Sequence, residues 1–347
     1  MYIKKILVAT FLLGLIAMGG FAWYVYNTIF SPNTTFNNTE AHLFIPTNAN
    51  FLMVQEELDP LLENLDSFIE VAIKKDYVNN IKSGHYIIKK GMNNNEIINT
   101  IRSKNIPIFV KFNNQERIEN LAAHIANQIE ADSLSLIKAM QDTTFLKENG
   151  LTEETALALY VPNTYEFYWN SSAETFRSRM KSEYNRFWTE NRLRKAKELN
   201  LTKEQVIALA AIVQKETAKV EERPRVAGVY INRLKKGMLL QADPTVIYAK
   251  KKKEGNFNQV IKRVLYEDLE IDSPYNTYKY PGVPPGPIAM PDISSIDAVL
   301  NYEKNDYYYF VADVTNFGYH KFAKNHAQHI RNKAEYVRWL SQQGVNR

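Results

Sequence analysis

The hydrophobic pattern separates the first thirty residues from the rest of the chain. Ile6 to Tyr26 contains no charged residue, and two lysines come directly before this run. A run of this length is sufficient for one membrane-spanning helix, so residues 1–30 are expected to form a short cytoplasmic tip and a single-pass anchor. Positive charge before the run predicts a cytoplasmic N-terminus and an external remainder. A cleaved signal peptide is the alternative, but the apolar run continues past the candidate cleavage site at residues 17–19.

Residues 31–42 are polar and rich in turn-forming residues, which predicts a linker that leaves the membrane. Short segments of alternating type follow this linker. Strand-like runs lie at 42–46, 51–54, 85–91 and 106–112, and helical periodicity occupies 55–73 and 93–101. This alternation predicts a small α/β module over residues 43–112.

Residues 113–347 are predicted to form a mixed α+β domain, so the predicted fold class of the chain is α+β. Helices are predicted twice within 116–142, then over 151–160, over 173–199 and from 202 onward, and the segment 320–329 is predicted to open the last helix, starting at His320. The segment from Tyr307 to Ala312 is predicted to be a strand because of its high β propensity.

The helix that begins near residue 202 carries a glutamate on its apolar side. Thr202 and Gln205 have the spacing of a capping box, which predicts the start of this helix. Glu216 shares one face with Val206, Leu209, Val213 and Val220. Burial disfavours the ionised carboxylate and raises its pKa, which is what a general acid in glycoside cleavage needs. The alternative is that the end of the helix frays and Glu216 reaches solvent.

Composition narrows the class of protein. With 45% hydrophobic and 23% charged residues, the chain can build an ordinary globular core. The net charge of +5 is modest, and the densest basic run, Lys250–Lys253, is predicted to lie in a solvated loop, so nucleic-acid binding is not expected. The absence of cysteine excludes disulfides and thiolate chemistry. His326 and His329 have a spacing that suits a metal, but no third ligand accompanies them in the sequence, so neither a metal nor a cofactor is predicted.

Five short strings around and after Glu216 occur in a fixed order. They are I-V-Q-K-E-T at 212–217, I-N-R-L at 231–234, L-Q-A-D-P-T-V-I-Y at 240–248, Y-N-T-Y at 275–278 and G-V-P-P-G-P-I at 282–288. In this order they resemble the strings of the YceG-like endolytic murein transglycosylase family. Val161 and Asn163 depart from a further string of that family, F-P-D-T-Y, and Gln214 stands where the family often has a second glutamate.

The resemblance implies that Glu216 is the catalytic acid and base. The candidate substrate-binding residues are Gln241, Asp243, Tyr248, Tyr275, Asn276, Tyr278, Gly286 and His320. Amide side chains suit hydrogen bonds to sugar groups and tyrosine rings stack on sugar faces, but a buried structural role is the alternative for these side chains. Asp243 either takes part in catalysis or shapes the cleft, and Gly286 either allows a ligand to approach the backbone or only forms a turn.

The same resemblance implies endolytic cleavage of the β-1,4 bond between N-acetylmuramic acid and N-acetylglucosamine in nascent peptidoglycan, with products that end in 1,6-anhydro-N-acetylmuramic acid. One carboxyl is sufficient for this reaction, because the C6 hydroxyl of the substrate closes the anhydro ring. The resemblance further implies a LysM-like form for residues 43–112, termination of glycan elongation beside peptidoglycan synthases, and attachment to the inner membrane with the catalytic domain in the periplasm.

Two alternative functions stay open at this point. A muramidase would use Asp243 and a water molecule as the second half of a hydrolytic pair, and its products would carry free reducing ends. A non-catalytic scaffold would bind the cell wall and keep Glu216 as a packing residue.

Overall fold

The computed structural model describes residues 2–343, and the chain divides into two compact units. The first unit comprises the chain up to residue 110 together with 127–131 and 165–172, and the second comprises 111–126, 132–164 and the chain from 173 onward. Both helices and short antiparallel strands occur along the chain, which confirms the predicted α+β class. The predicted domain limits at 42/43 and 112/113 stay a prediction.

The first helix, α1 (Tyr2–Phe30), is long and apolar enough to cross a membrane, and none of its residues is buried in protein. Within residues 2–343 it is the one helix with these properties. A signal sequence meets the same criteria of length and composition, so α1 is a candidate membrane span and its topology stays a prediction.

The first unit contains an antiparallel pair of strands with helices packed beside it. Its elements are β1 (Glu40–Ile45), α2 (Phe51–Leu58), a 3₁₀ turn (Asp59–Leu61), α3 (Leu65–Lys74), β2 (Gly84–Lys89) and α4 (Asn94–Ser103). Leu43 on β1 lies opposite Tyr86 on β2, and both are buried with Phe68 of α3 and Ile97 of α4. This core orders residues 40–103 around one small sheet.

Two predictions for this unit are wrong. The segment at 51–54 is not a strand, because the side chain of Asn50 accepts a hydrogen bond from the backbone nitrogen of Met53 at 2.9 Å and starts α2 there. The helical pattern over 55–73 belongs to two helices, because α2 ends before Pro60 and the side chain of Asn64 caps a new helix, α3.

The second unit is mainly helical. Its helices are α5 (Ile118–Ala126), α6 (Ser133–Met140), α7 (Thr143–Glu148), α8 (Ala173–Phe187), α9 (Glu190–Glu198), α10 (Lys203–Glu216), α11 (Arg223–Lys235), α12 (Asp243–Glu254), α13 (Ile293–Leu300) and α14 (His326–Gln342). Short 3₁₀ turns lie at Ala156–Leu159, Val220–Glu222 and Glu267–Glu270. The strands β5 (Tyr309–Ala312) and β6 (His320–Ala323) of this unit pair antiparallel. The strands β3 (Ile108–Phe112) and β4 (Asn163–Phe167) also pair, and each belongs partly to the first unit and partly to the second.

Helix α10 is the central element of the second unit. It packs against α9, α11, α12 and α13, and all eight residues from Val206 to Val213 are buried. A helix that is apolar on every side is surrounded by protein on every side. The predicted apolar stripe therefore underestimated the burial of this helix. Val220, which the stripe included, lies beyond its end and is 52% exposed.

Three further predictions differ from the structure. The segment 173–199 forms two helices, because the side chain of Thr189 accepts a hydrogen bond from the backbone nitrogen of Arg192 and starts α9. Lys250–Lys253 do not lie in a loop but in the last turns of α12. The last helix does not open at His320, which belongs to β6, and Asn325 caps α14 instead.

Candidate active site

A cavity of about 430 Å³ in the second unit collects polar side chains from separate helices. Its walls come from the end of α10, from α11, from the start of α12, and from β5 and α14. The lining residues are Glu216, Tyr230, Arg233, Met238, Leu240, Gln241, Asp243, Tyr278, Tyr309, Phe310, Val311, His326, His329, Lys333 and Tyr336.

Glu216 is the last residue of α10, and the chain turns to an extended conformation at Thr217. The helix runs through the middle of the unit, so its final residue emerges at the wall of the cavity. Glu216 remains partly exposed there, so a ligand in the cavity can reach its carboxyl.

The environment of Glu216 favours its protonated form. Burial of the carboxyl raises its pKa from 4.5 to about 7, and the negative charge of Asp243 acts in the same direction. The hydrogen bond from Tyr230 and the positive charges of His320 and Arg233 oppose this rise. A carboxyl with a pKa near 7 can both give and take a proton at neutral pH.

Two side chains of α11 fix the surroundings of this carboxyl. The hydroxyl of Tyr230 donates a 2.7 Å hydrogen bond to Oε1 of Glu216, and Tyr230 is buried. Arg233, one turn later and also buried, donates to the carbonyl oxygens of Tyr308 (2.6 Å) and Leu240 (2.8 Å). Arg233 is therefore held by backbone carbonyls, and its charge acts on Glu216 without a direct ion pair.

Asp243, Tyr278 and Gln241 form another part of the wall. Asp243 begins α12, and its Oδ1 accepts a 2.6 Å hydrogen bond from the hydroxyl of Tyr278. Gln241 has a left-handed backbone (φ 50°), and its backbone nitrogen donates to the carbonyl oxygen of Thr277 at 3.0 Å. These contacts join the segment before α12 to the Y-N-T-Y segment. They bring three predicted substrate-binding residues to the same cavity as Glu216.

Asn276 lies behind that wall and is fully buried. Its Nδ2 donates to the carbonyl oxygens of Leu269 and Ile271, both at 2.8 Å, and its Oδ1 accepts from the backbone nitrogen of Tyr278 at 3.0 Å. Its amide is thus fully used in shaping the loop that presents Tyr278.

Tyr248 and Tyr275 line a different cavity of the second unit, of about 280 Å³. Their ring centroids are 4.7 Å apart, and Tyr275 is buried. Gly286 lies next to this pair, where an added Cβ would come within 3.2 Å of the Tyr275 hydroxyl and within 1.9 Å of the carbonyl oxygen of Glu154. The structure therefore does not bring these three predicted residues to the Glu216 cavity.

His320 forms a close pair with Glu222. Its backbone nitrogen donates to Oε1 and its Nδ1 contacts Oε2 of that carboxylate, both at 2.8 Å. Glu222 is only 5% exposed, and burial by itself would raise its pKa, but the hydrogen bonds from His320 hold that pKa below its usual value. His320 does not line the cavity, although its charge acts on Glu216.

Gln214 points away from the cavity, toward the start of α13. Its Oε1 accepts from the backbone nitrogen of Asp292 (2.6 Å) and from the hydroxyl of Ser295 (3.0 Å), and its Nε2 donates to Oδ2 of Asp292. A glutamine supplies both the donor and the acceptor that this position uses. Glu216 is left as the carboxylate at this end of α10.

Several lining residues were not predicted from the sequence. Tyr230 directly precedes the I-N-R-L string, and Arg233 belongs to it. Their spacing of three residues, which places two side chains on one face of a helix, was the signal that could have identified them. His326, His329 and Lys333 share one face of α14 and line the cavity, although the two histidines were considered only as metal ligands. Within residues 2–343, no group of three or more His, Asp or Glu side chains is arranged to hold a metal ion.

Comparisons with known proteins give matches over most of the chain. The sequence model of the YceG-like family matches residues 43–335. An endolytic murein transglycosylase of Bacillus subtilis (strain 168) is 28% identical, with 92% of this chain and 91% of that protein covered. An endolytic murein transglycosylase of Streptococcus pneumoniae serotype 2 (strain D39) is 42% identical over 141 residues, which are 41% of this chain and 25% of that protein.

A crystal structure of a yceG-like protein from Listeria monocytogenes has a TM-score of 0.56 and 27% identity, covering 85% of this chain and 99% of the other. The match with the family spans well over half of the chain and includes every lining residue of the Glu216 cavity except Tyr336. This chain therefore belongs to the YceG-like family.

Proposed function

We propose that this protein is a lytic transglycosylase that cleaves peptidoglycan strands internally, at the β-1,4 bond between N-acetylmuramic acid and N-acetylglucosamine. The observation that carries the proposal is Glu216, a carboxyl with a pKa of about 7 in a polar cavity of the second unit. The names of the relatives from B. subtilis and S. pneumoniae support the same activity.

In the proposed mechanism, protonated Glu216 first acts as an acid. Tyr230 holds Oε1, which leaves Oε2 to carry the proton into the cavity. That proton goes to the glycosidic oxygen, the bond from this oxygen to C1 of the muramyl sugar breaks, and N-acetylglucosamine leaves with a free C4 hydroxyl. Asp243 lies in the wall of the same cavity, where a negative charge stabilises the positive charge that develops at C1.

Glu216 then acts as a base. The C6 oxygen of the muramyl sugar attacks C1 and forms the 1,6-anhydro ring, and the carboxylate of Glu216 takes the proton from the C6 hydroxyl. This step returns Glu216 to its protonated form without a water molecule. Tyr230 and the charge of Arg233 stabilise the carboxylate between the two steps, because both favour the ionised form.

A muramidase is the second candidate, because Asp243 lines the same cavity and is able to activate a water molecule. Mass spectrometry of the fragments released from purified peptidoglycan separates the two reactions. We expect anhydro ends from the full-length protein, and the same ends at a rate lowered by roughly tenfold from Asp243→Asn. Free reducing ends that disappear in Asp243→Asn would establish the muramidase instead.

Changing Tyr230 to phenylalanine should shift the pH dependence of cleavage. The Tyr230 hydroxyl stabilises the ionised form of Glu216, so its loss raises the pKa of Glu216 further. Cleavage requires the protonated acid and falls as pH rises through that pKa. The alkaline limb of a kcat/KM profile should therefore move upward by roughly one pH unit.

Tyr184→Phe is the matched control for this shift. Tyr184 is also buried in the second unit and donates to a glutamate, Glu204, at 3.0 Å, but it does not line the Glu216 cavity. Its removal should leave the profile in place. A profile of Tyr230→Phe that moves to lower pH, or not at all, would contradict the assigned role of Glu216.

The proposed cellular setting follows from α1 and the first unit. Helix α1 is proposed to be a single-pass anchor of the inner membrane with a cytoplasmic N-terminus, which leaves both units in the periplasm. Residues 43–112 are proposed to form a LysM-like module that holds the glycan strand. The enzyme is further proposed to terminate nascent glycan strands beside peptidoglycan synthases. Protease digestion from the outer side of intact spheroplasts tests the orientation, since an enzyme in the periplasm must be cut.

A further inference from the structure

The Glu216 cavity continues into a second cavity of about 520 Å³. Asp243, Tyr278, Lys333 and Tyr336 line both cavities, so the two form one groove in the second unit. This second cavity, shared residues included, is here named the extension. Its own walls include Lys262, Arg263, Tyr266, Leu269 and Leu340. Because this groove extends beyond the Glu216 cavity, it suits a substrate that continues on one side of the scissile bond.

The extension carries uncompensated positive charge. Lys262, Arg263 and Lys333 line it, and within residues 2–343 none of the three forms an ion pair or a side-chain hydrogen bond. The acidic residue among its walls is Asp243, which already accepts a hydrogen bond from Tyr278. Three cations that face one groove without a carboxylate partner attract an anionic ligand.

The basic run at 250–253 provides a contrast. Lys250 pairs with Asp268 at 2.7 Å, Lys251 pairs with Glu116 at 3.0 Å, and Lys252 lies over the ring of Tyr275 at 4.9 Å. Three of the four lysines in the densest basic run of the sequence are thus held by contacts within the protein. The cations of the extension are instead the adjacent residues Lys262 and Arg263 together with Lys333 of α14.

The walls of the extension also offer apolar contact. Tyr266 is 85% exposed, and Leu269, Tyr336 and Leu340 lie beside the cations. The ligand that fits is therefore an anionic group on a partly apolar chain. In peptidoglycan, each muramyl residue can carry a peptide whose carboxylates and methyl-bearing side chains have this character.

We propose that the extension binds the carboxylates of the stem peptide on a muramyl residue next to the scissile bond, through Lys262, Arg263 and Lys333. This inference rests on the proposed function, because that function supplies the substrate class. Binding of these carboxylates makes the groove selective for glycan strands that still carry their stem peptides.

The test compares two substrates of one origin. Glycan strands purified from mature cell wall carry stems and no lipid pyrophosphate, and an amidase that removes the stems yields the matched bare glycan. Initial rates with full-length protein in detergent give KM for each. We expect wild-type protein to have a lower KM for stem-bearing strands, and Lys262→Gln with Arg263→Gln to reduce this preference by about 3- to 10-fold.

The control variant is Arg331→Gln with Arg338→Gln, which removes the same charge from exposed positions of α14 that line neither cavity. It should keep the wild-type preference. The inference would be overturned if the wild-type protein had equal KM values for both substrates, or if the two double variants changed the KM preference equally. In either case, cleavage itself would still support the proposed function. A wild-type protein that cleaves neither substrate would remove the proposed function and this inference with it.

Discussion

Glu216→Gln should lower the rate of glycan cleavage by about 10³-fold or more. Glutamine has nearly the volume of glutamate and can still accept the hydrogen bond from Tyr230, but it has no proton to give to the glycosidic oxygen. General acid–base catalysis contributes roughly 10²- to 10⁴-fold, and here one group supplies both the acid and the base. Release of soluble fragments from labelled peptidoglycan measures the loss, and co-sedimentation with peptidoglycan tests whether binding is retained.

Glu174→Gln is the matched control, because Glu174 is an exposed carboxylate of the same unit on α8. It should cleave at the wild-type rate. A Glu216→Gln protein that retains more than about a tenth of that rate would mean that another group donates the proton, since even weak general acid catalysis exceeds this factor.

The same substitution should change how stability depends on pH. The pKa of Glu216 is raised in the folded state from 4.5 to about 7, so the folded state binds the proton more tightly than the unfolded state. The stability linked to this proton is complete below the unfolded pKa and is lost as pH rises through about 7. Urea unfolding at pH 5 and pH 8 should therefore show a smaller pH effect in Glu216→Gln than in wild type.

Gly286→Ala should destabilise the second unit by about 3 kcal/mol or more. The new Cβ would lie 1.9 Å from the carbonyl oxygen of Glu154 and 2.6 Å from its carbonyl carbon. Both are backbone atoms, so the clash cannot be relieved by a side-chain rotation and the chain around Glu154 has to move. Such a loss lowers the midpoint of thermal unfolding by roughly 6–12 °C for a unit of this size, which circular dichroism can follow.

Pro285→Ala provides the comparison for Gly286→Ala, because Pro285 is the adjacent residue of the same string and is exposed. It should shift the midpoint by much less. If Gly286→Ala were as stable as wild type, the close approach of Gly286 to Glu154 would be wrong. A normal midpoint with lost cleavage would point instead to a ligand near Gly286.

Local signals in the sequence predicted several elements correctly. The capping box of Thr202 and Gln205 is present at the start of α10, and a second one, formed by Asn93 and Glu96, starts α4. The uncharged run from Ile6 is helical throughout and exposed. These features depend on residues within a few positions of each other, so the sequence alone contains the information that determines them.

Local signals were misleading where a single residue decides between two structures. Phe51–Val54 has the composition of a strand, but one side chain, that of Asn50, caps a helix there. The helical pattern over 173–199 continues across Thr189, yet the hydroxyl of Thr189 caps the start of a new helix, α9. Periodicity averages over many positions and does not register such caps.

The candidate site divides in the same way. The sequence by itself determined that an apolar helix carries Glu216, that polar strings follow it in a family-specific order, and that an apolar segment precedes the folded units. Only the tertiary structure decided that Tyr230, Asp243 and Lys333 surround Glu216, that Tyr248 and Tyr275 face another cavity, and that the free cations lie in the extension. The physical reason is that a helix cap or an apolar run is specified by neighbours along the chain. The members of a cavity are specified by how α10, α11, α12 and α14 pack, and that packing depends on contacts between residues far apart in the sequence.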